Sequence, residues 1–85
     1  MKVKIDGKIF KVHKVENNRI EIRKNIDMFD LMFFKEWFVK GIDSPVNNYK
    51  EDIPYVSKLG HGHILNCFPS EVGEDYVIFV YDKIV

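Results

Sequence analysis

Hydrophobic positions along this chain change their period twice. They alternate with polar ones near the start, crowd onto almost every face of a helical stretch between residues 27 and 41, and return to strand-like runs after residue 62. At the start, Val3 and Ile5 point one way and Lys2 and Lys4 the other, the pattern of a half-buried strand. Asp6-Gly7 then predicts a two-residue type I′ turn that pairs Ile5 with Lys8 and Val3 with Phe10. Val3, Ile5, Phe10 and Val12 thereby share an inner face. Glu16-Asn17-Asn18 marks the next turn. A two-residue loop at Asn17-Asn18 puts Ile20 and Ile22 on the side of Lys11 and His13, whereas a three-residue loop sets Val12 opposite Ile22 and returns both isoleucines to the core. The three-residue loop is therefore expected.

Asp27 to Gly41 predicts the one substantial helix, with Asp27 as N-cap, Asp30 favouring the positive end of the dipole and Gly41 in the left-handed position that ends it. At 100° per residue Leu31, Phe34, Phe38 and Val39 form one stripe with Met28 and Met32 beside it, and Phe29, Phe33 and Trp37 fall on the far side. Burying each such side chain contributes ~1.5–3 kcal/mol, a large share of the ~5–10 kcal/mol that holds a domain of this size. The second face therefore demands a cover. A homodimer through Phe29, Phe33 and Trp37, or through the final strand, is expected, and a partner protein captured by the same aromatic patch is the alternative.

Beyond the helix, Ile42 to Asn48 reads as a loop in which Ser44-Pro45 starts a helical turn. Tyr49 to Leu59 reads as irregular, with a further helical start at Asp52-Ile53-Pro54, and Gly60-His61-Gly62 as a linker. His63 to Phe68 and Tyr76 to Ile84 predict two strands joined by a seven-residue loop, Pro69 to Asp75. The expected architecture is one small α+β domain over residues 1–85, an antiparallel sheet of about five strands in the order β-β-β-α-β-β packed on one main helix.

Composition sharpens this picture in three ways. The formal net charge is zero, yet residues 1–24 hold eight Lys or Arg against three acids and residues 25–85 hold five against ten, a division of +5 and −5. A single cysteine, Cys67, excludes an internal disulfide and points to a reducing cytoplasm, and no apolar run is long enough to span a bilayer. Ala, Thr and Gln are absent while Lys, Ile, Asn, Phe and Tyr abound, which points to AT-rich coding and hence to a low-GC bacterium, a mobile element or a phage.

The candidate chemistry follows from the charge division. On the expected register Lys2, Lys4, Lys11, His13, Arg19 and Arg23 share the solvent face of the first three strands, and residues two apart on a strand lie ~6.8 Å apart, suited to successive phosphates. A non-enzymatic RNA-binding protein is expected, holding structured or double-stranded RNA with little sequence preference because the platform has no outward aromatics. Its biological setting on this reading is that of a phage or mobile-element accessory protein that sequesters RNA or counters an RNA-dependent defence. No helix-turn-helix or zinc finger is apparent. His61 and His63, with Cys67, form a weak metal pattern, and with Lys58 a weak acid-base pattern for phosphodiester cleavage; neither is expected to act, and no cofactor, metal or catalytic residue is assigned.

Overall fold

The computed structural model describes residues 1–44 and 49–85, so the helical turn expected at Ser44-Pro45 lies largely outside the described residues. In chain order the elements are β1 (Lys2–Ile5), β2 (Lys8–Lys11), β3 (Lys14–Glu16), β4 (Arg19–Ile22), α1 (Met28–Ile42), β5 (Glu51–Ser57), β6 (Gly60–Val72), β7 (Val77–Val80) and β8 (Lys83–Ile84). The strands follow the order β2-β1-β5-β6-β7-β4-β3, every pairing antiparallel, and β8 pairs with β6 off that path. Because β2 and β3 are consecutive halves of one bent strand, the two ends of this order meet. The result is a closed six-stranded antiparallel barrel with one helix, not the expected open sheet of about five strands lying on a helix.

Two irregularities make closure possible. The first is a bulge where His13 and Lys14 together face Glu21: the His13 N–H donates to the Glu21 carbonyl at 2.8 Å while Lys14 is its register partner. The extra residue bends the strand from β1 toward β4 and shifts its inside-outside alternation by one. That shift corrects the expected three-residue loop. Glu16 pairs with Arg19, so the turn is the two residues Asn17-Asn18, with φ of 51° and 61°, and Ile20 and Ile22 still face inward. The second irregularity is in β6, which pairs with β5 and β8 at its start and with β7 at its end, with Asn66 at φ 56° and a register shift between Pro69 and Glu71 on the way.

The first hairpin has the expected register, Val3 against Phe10 and Ile5 against Lys8. Tyr49 to Leu59 does not form helical turns. Most of it is β5, because Ile53 and Tyr55 alternate inward against Pro54 and Val56, and long-range pairing with β1 and β6 satisfies its backbone. Pro54 is tolerated since the β1 register ends at Val3–Tyr55, one residue short of needing its N–H. Likewise Gly60-His61-Gly62 is the start of β6, entered through a two-residue Lys58-Leu59 turn, and the seven-residue loop shrinks to Glu74-Asp75 between Gly73 and Tyr76. The expected final strand divides into β7 and β8.

Asp27 caps α1 as expected, its carboxylate accepting from the Asp30 N–H at 2.8 Å. Gly41 is not the terminator; it lies inside the helix, where a Cβ would collide with the Phe68 ring, and Asp43 is the C-cap. The buried stripe is Phe34 and Trp37, with Phe38 and Leu31 at its margin, while Met28, Met32 and Val39 are exposed. Phe34 reaches Phe10 of β2 (5.7 Å between ring centroids) and Phe79 of β7 (5.3 Å, edge to face), two strands that do not pair. Its ring therefore bridges the barrel interior, and Trp37 extends the cluster to Phe79 and Phe68. Among the described residues no helix is long and apolar enough to cross a membrane.

This packing separates two neighbouring helix positions. Phe34→Ala should cost ~3–5 kcal/mol, whereas Phe29→Ala in dilute protein should stay within about 0.5 kcal/mol of wild type. Urea unfolding followed by Trp37 fluorescence measures both; equal losses would contradict the assignment of Phe34 as the bridging ring.

Candidate nucleic-acid interface

The outer face of β2, β1, β5 and β6 is set by register. One transverse row runs Lys11, Lys2, Val56, His61; beyond it Ile9 pairs with Lys4 and Pro54 with His63, the β1–β5 pairing itself ending at Val3–Tyr55. Lys2 and Lys11 are direct cross-strand partners. The next pair toward the terminus is joined by a hydrogen bond from Val12 N–H to the Met1 carbonyl (3.0 Å), which makes Lys2–Lys11 a pair of the non-hydrogen-bonded kind, with Cα atoms ~4.5 Å apart. Two ammonium groups thus leave the sheet side by side. Like charges so placed repel. Lys11 also borders a shallow depression of about 250 Å3 whose other lining residues are Val12, His13 and Lys24, with no acid among them.

The remaining cations of the N-terminal quarter are largely neutralised. Lys8 binds Asp30 at 2.8 Å and lies 3.7 Å from Asp27, which fastens the first hairpin to the opening turn of α1; the hydrogen bond to Asp30 raises the Lys8 pKa. Lys14 meets Glu16 at 2.8 Å. Arg23 donates to Glu21 at 2.9 Å, lies 5.4 Å above the Tyr76 ring, and holds the Glu21 carboxyl below its ordinary range through that hydrogen bond. The same carboxylate is 3.7 Å from His13 Nε2. Among the described residues Lys2, Lys4, Lys11, Arg19 and Lys24 have no ion pair.

The six cationic positions expected from sequence are all on the barrel's exterior, but they divide. Lys2, Lys4 and Lys11 form one acid-free cluster on β1 and β2; Arg19 and Arg23 lie on and just beyond β4, among Glu16 and Glu21; His13 stands at the bulge between them. Lys24 joins the cluster although only its sign was visible beforehand. The contribution of Val56, Pro54, His61 and His63 to the same face was missed, because β5 was read as irregular.

The other candidates fare differently. His61 and His63 point outward from β6, but positive φ at Asn66 breaks the alternation and Cys67 turns into the core, so the three do not share a face. Lys58 occupies the hairpin tip beside Leu59, which is 100% exposed. No group of three His, Cys, Asp or Glu among the described residues is placed to hold a metal ion. Of the three aromatics expected to face a partner, Phe29 is 77% exposed and Phe33 half-exposed, but Trp37 is 7% exposed and its indole N–H donates to the Tyr49 carbonyl. No family model matches the chain, and neither curated proteins nor solved structures yield a match.

Burial pushes the Cys67 thiol up to about 12, with Asp52, Asp82 and Glu51 adding to the shift. At pH 8 the native protein should consequently resist a thiol-directed disulfide reagent and react only as it unfolds. Stoichiometric labelling of the folded protein within seconds would show that Cys67 is not where burial places it.

Proposed function

We propose that this protein is a non-enzymatic RNA-binding protein whose β1–β2 face holds the phosphate backbone. The observation that carries the reading is the Lys2–Lys11 pair, two cations side by side without a carboxylate, continuous with Lys4 and Lys24. An anion between them relieves the repulsion. In a molecule of zero net charge, concentrating unpaired cations here gives a local field that overall charge conceals. The accessory role in a phage or mobile element rests on composition, and the cytoplasm as its compartment on the absence of an internal disulfide.

Four lysines neutralise about four phosphates, so affinity should fall about 100-fold between 50 and 200 mM salt. Filter binding or anisotropy with a labelled RNA reads this directly. Lys2→Glu should abolish binding at 150 mM salt and yet melt no lower than wild type, since it exchanges a like-charge pair for an opposite-charge one. Arg23→Gln, which removes a cation already engaged by Glu21, should bind as wild type. No binding at 50 mM salt ends the proposal, as does equal loss from both variants.

The protein acts as a homodimer in this reading, though through a different set of helix residues than sequence suggested. Met28, Met32, Lys35, Val39 and Ile42 run along the outward side of α1 at spacings of four, three, four and three, the seam that pairs one helix with another like it. Phe29 flanks it. Met28 is 73% exposed and Met32, Val39 and Ile42 are exposed beside it, a contiguous apolar strip of the kind that marks an interaction surface. Sedimentation equilibrium should show a dimer at micromolar concentration and a folded monomer for Met32→Glu, Val39→Glu. A wild-type monomer at about 100 μM would favour the partner-protein alternative instead.

A further inference from the structure

The lysine cluster does not stand on polar ground. Between Lys2 and Lys4 of β1, Ile9 on one side and Pro54 and Val56 on the other line an open groove of about 340 Å3, in the range where small-molecule clefts begin, with Val3 and Tyr55 behind them. Ile9 is 66% and Val56 61% exposed, so two branched apolar side chains stand in water on either side of a column of free cations. Solvation of a sheet face calls for neither. Lys2 and Lys4 lie ~6.8 Å apart along the strand, close to the spacing of successive phosphates on a nucleic-acid strand. Lys11 extends the charge to the next strand.

We infer that this groove takes an unpaired nucleobase, which makes single-stranded RNA the ligand of the basic face; the inference rests on the RNA-binding reading above. An occupant must supply several negative charges and a flat apolar body at once. A fatty-acid carboxylate answers one lysine and leaves the rest opposed. A duplex supplies the phosphates but keeps its base faces inside the stack, so the apolar floor stays wet. An unpaired strand supplies both: phosphates reach Lys2, Lys4 and Lys11 while a base covers Ile9, Pro54 and Val56. Contact with aliphatic side chains in place of aromatic ones reads no base edges, so the preference is for strandedness and not for sequence.

Fluorescence anisotropy with three labelled probes decides the matter: a ten-nucleotide oligouridine, the same backbone carrying abasic sites, and a ten-base-pair RNA duplex. The oligouridine should bind about five- to tenfold more tightly than the abasic strand, and more tightly than the duplex at equal salt. Ile9→Thr, Val56→Thr removes apolar floor without altering charge or β-branching. It should bring oligouridine to the abasic level and leave duplex affinity unchanged. Equal affinity for intact and abasic strands, or a preference for the duplex, overturns the groove assignment while the basic-face reading stands. Failure of all three probes at 50 mM salt overturns both.

Discussion

The fold depends on one extra residue. At the bulge where His13 and Lys14 share Glu21, the second strand stops pairing with β1 and begins pairing with β4. A regular strand at this point continues straight and leaves two unpaired edges, each a row of free N–H and C=O groups open to other chains. The bulge bends the strand, adds twist and closes the barrel. It also moves the inside-outside alternation by one residue, which lets Phe10 and Ile20 face the same core although the turn between their strands is the two-residue kind. Closure then creates an interior with no helix face to line it, and α1 answers by inserting Phe34 between Phe10 and Phe79.

The same geometry sorts the charges. Glu21, placed on the outer face of β4 opposite the bulge, gathers Arg23 and stands near His13 and Lys14, so the second hairpin is compensated except at Arg19. The first hairpin has only Asp6 at its turn and sends Lys8 to the acids at the helix start, leaving Lys2, Lys4 and Lys11 without carboxylates. Exposed ion pairs of this sort contribute little to stability, typically ~0–1 kcal/mol each. Their consequence here is different: they decide which cations remain available to an anion. A chain with no net charge thereby acquires one face of a single sign.

The helix shows how an apolar sequence divides between roles. Its residues are hydrophobic nearly all round, and the barrel mouth accepts a narrow stripe centred on Phe34 and Trp37. Met28, Phe29, Met32, Val39 and Ile42 stay in water. In a small domain that imbalance is costly to solubility unless another surface covers it. The aliphatic strip beside the lysines of β1 poses the same physical question on a smaller scale.

Local patterns by themselves determined a good deal. The Asp6-Gly7 hairpin with its register, the Asp27 cap, the inward set Val3, Ile5 and Phe10, and the presence of one main helix all follow from interactions within a few residues, which neighbouring side chains and backbone angles settle. The tertiary structure alone decided that β5 is a strand, since Pro54 and the sparse apolar spacing around it resemble a loop until β1 and β6 supply hydrogen bonds on both sides. It decided the two-residue turn at Asn17-Asn18, because the bulge at His13-Lys14 has no signature in residue type. It decided which side of α1 is buried, because a helix apolar on every face carries no preferred stripe and the shape of the barrel mouth makes the choice. And it separated Lys2, Lys4 and Lys11 from His13, Arg19 and Arg23, because the bulge turns the chain from β1 toward β4 and strand pairing brings Glu21 to His13, whereas Arg23 meets the same carboxylate from only two residues away along the chain.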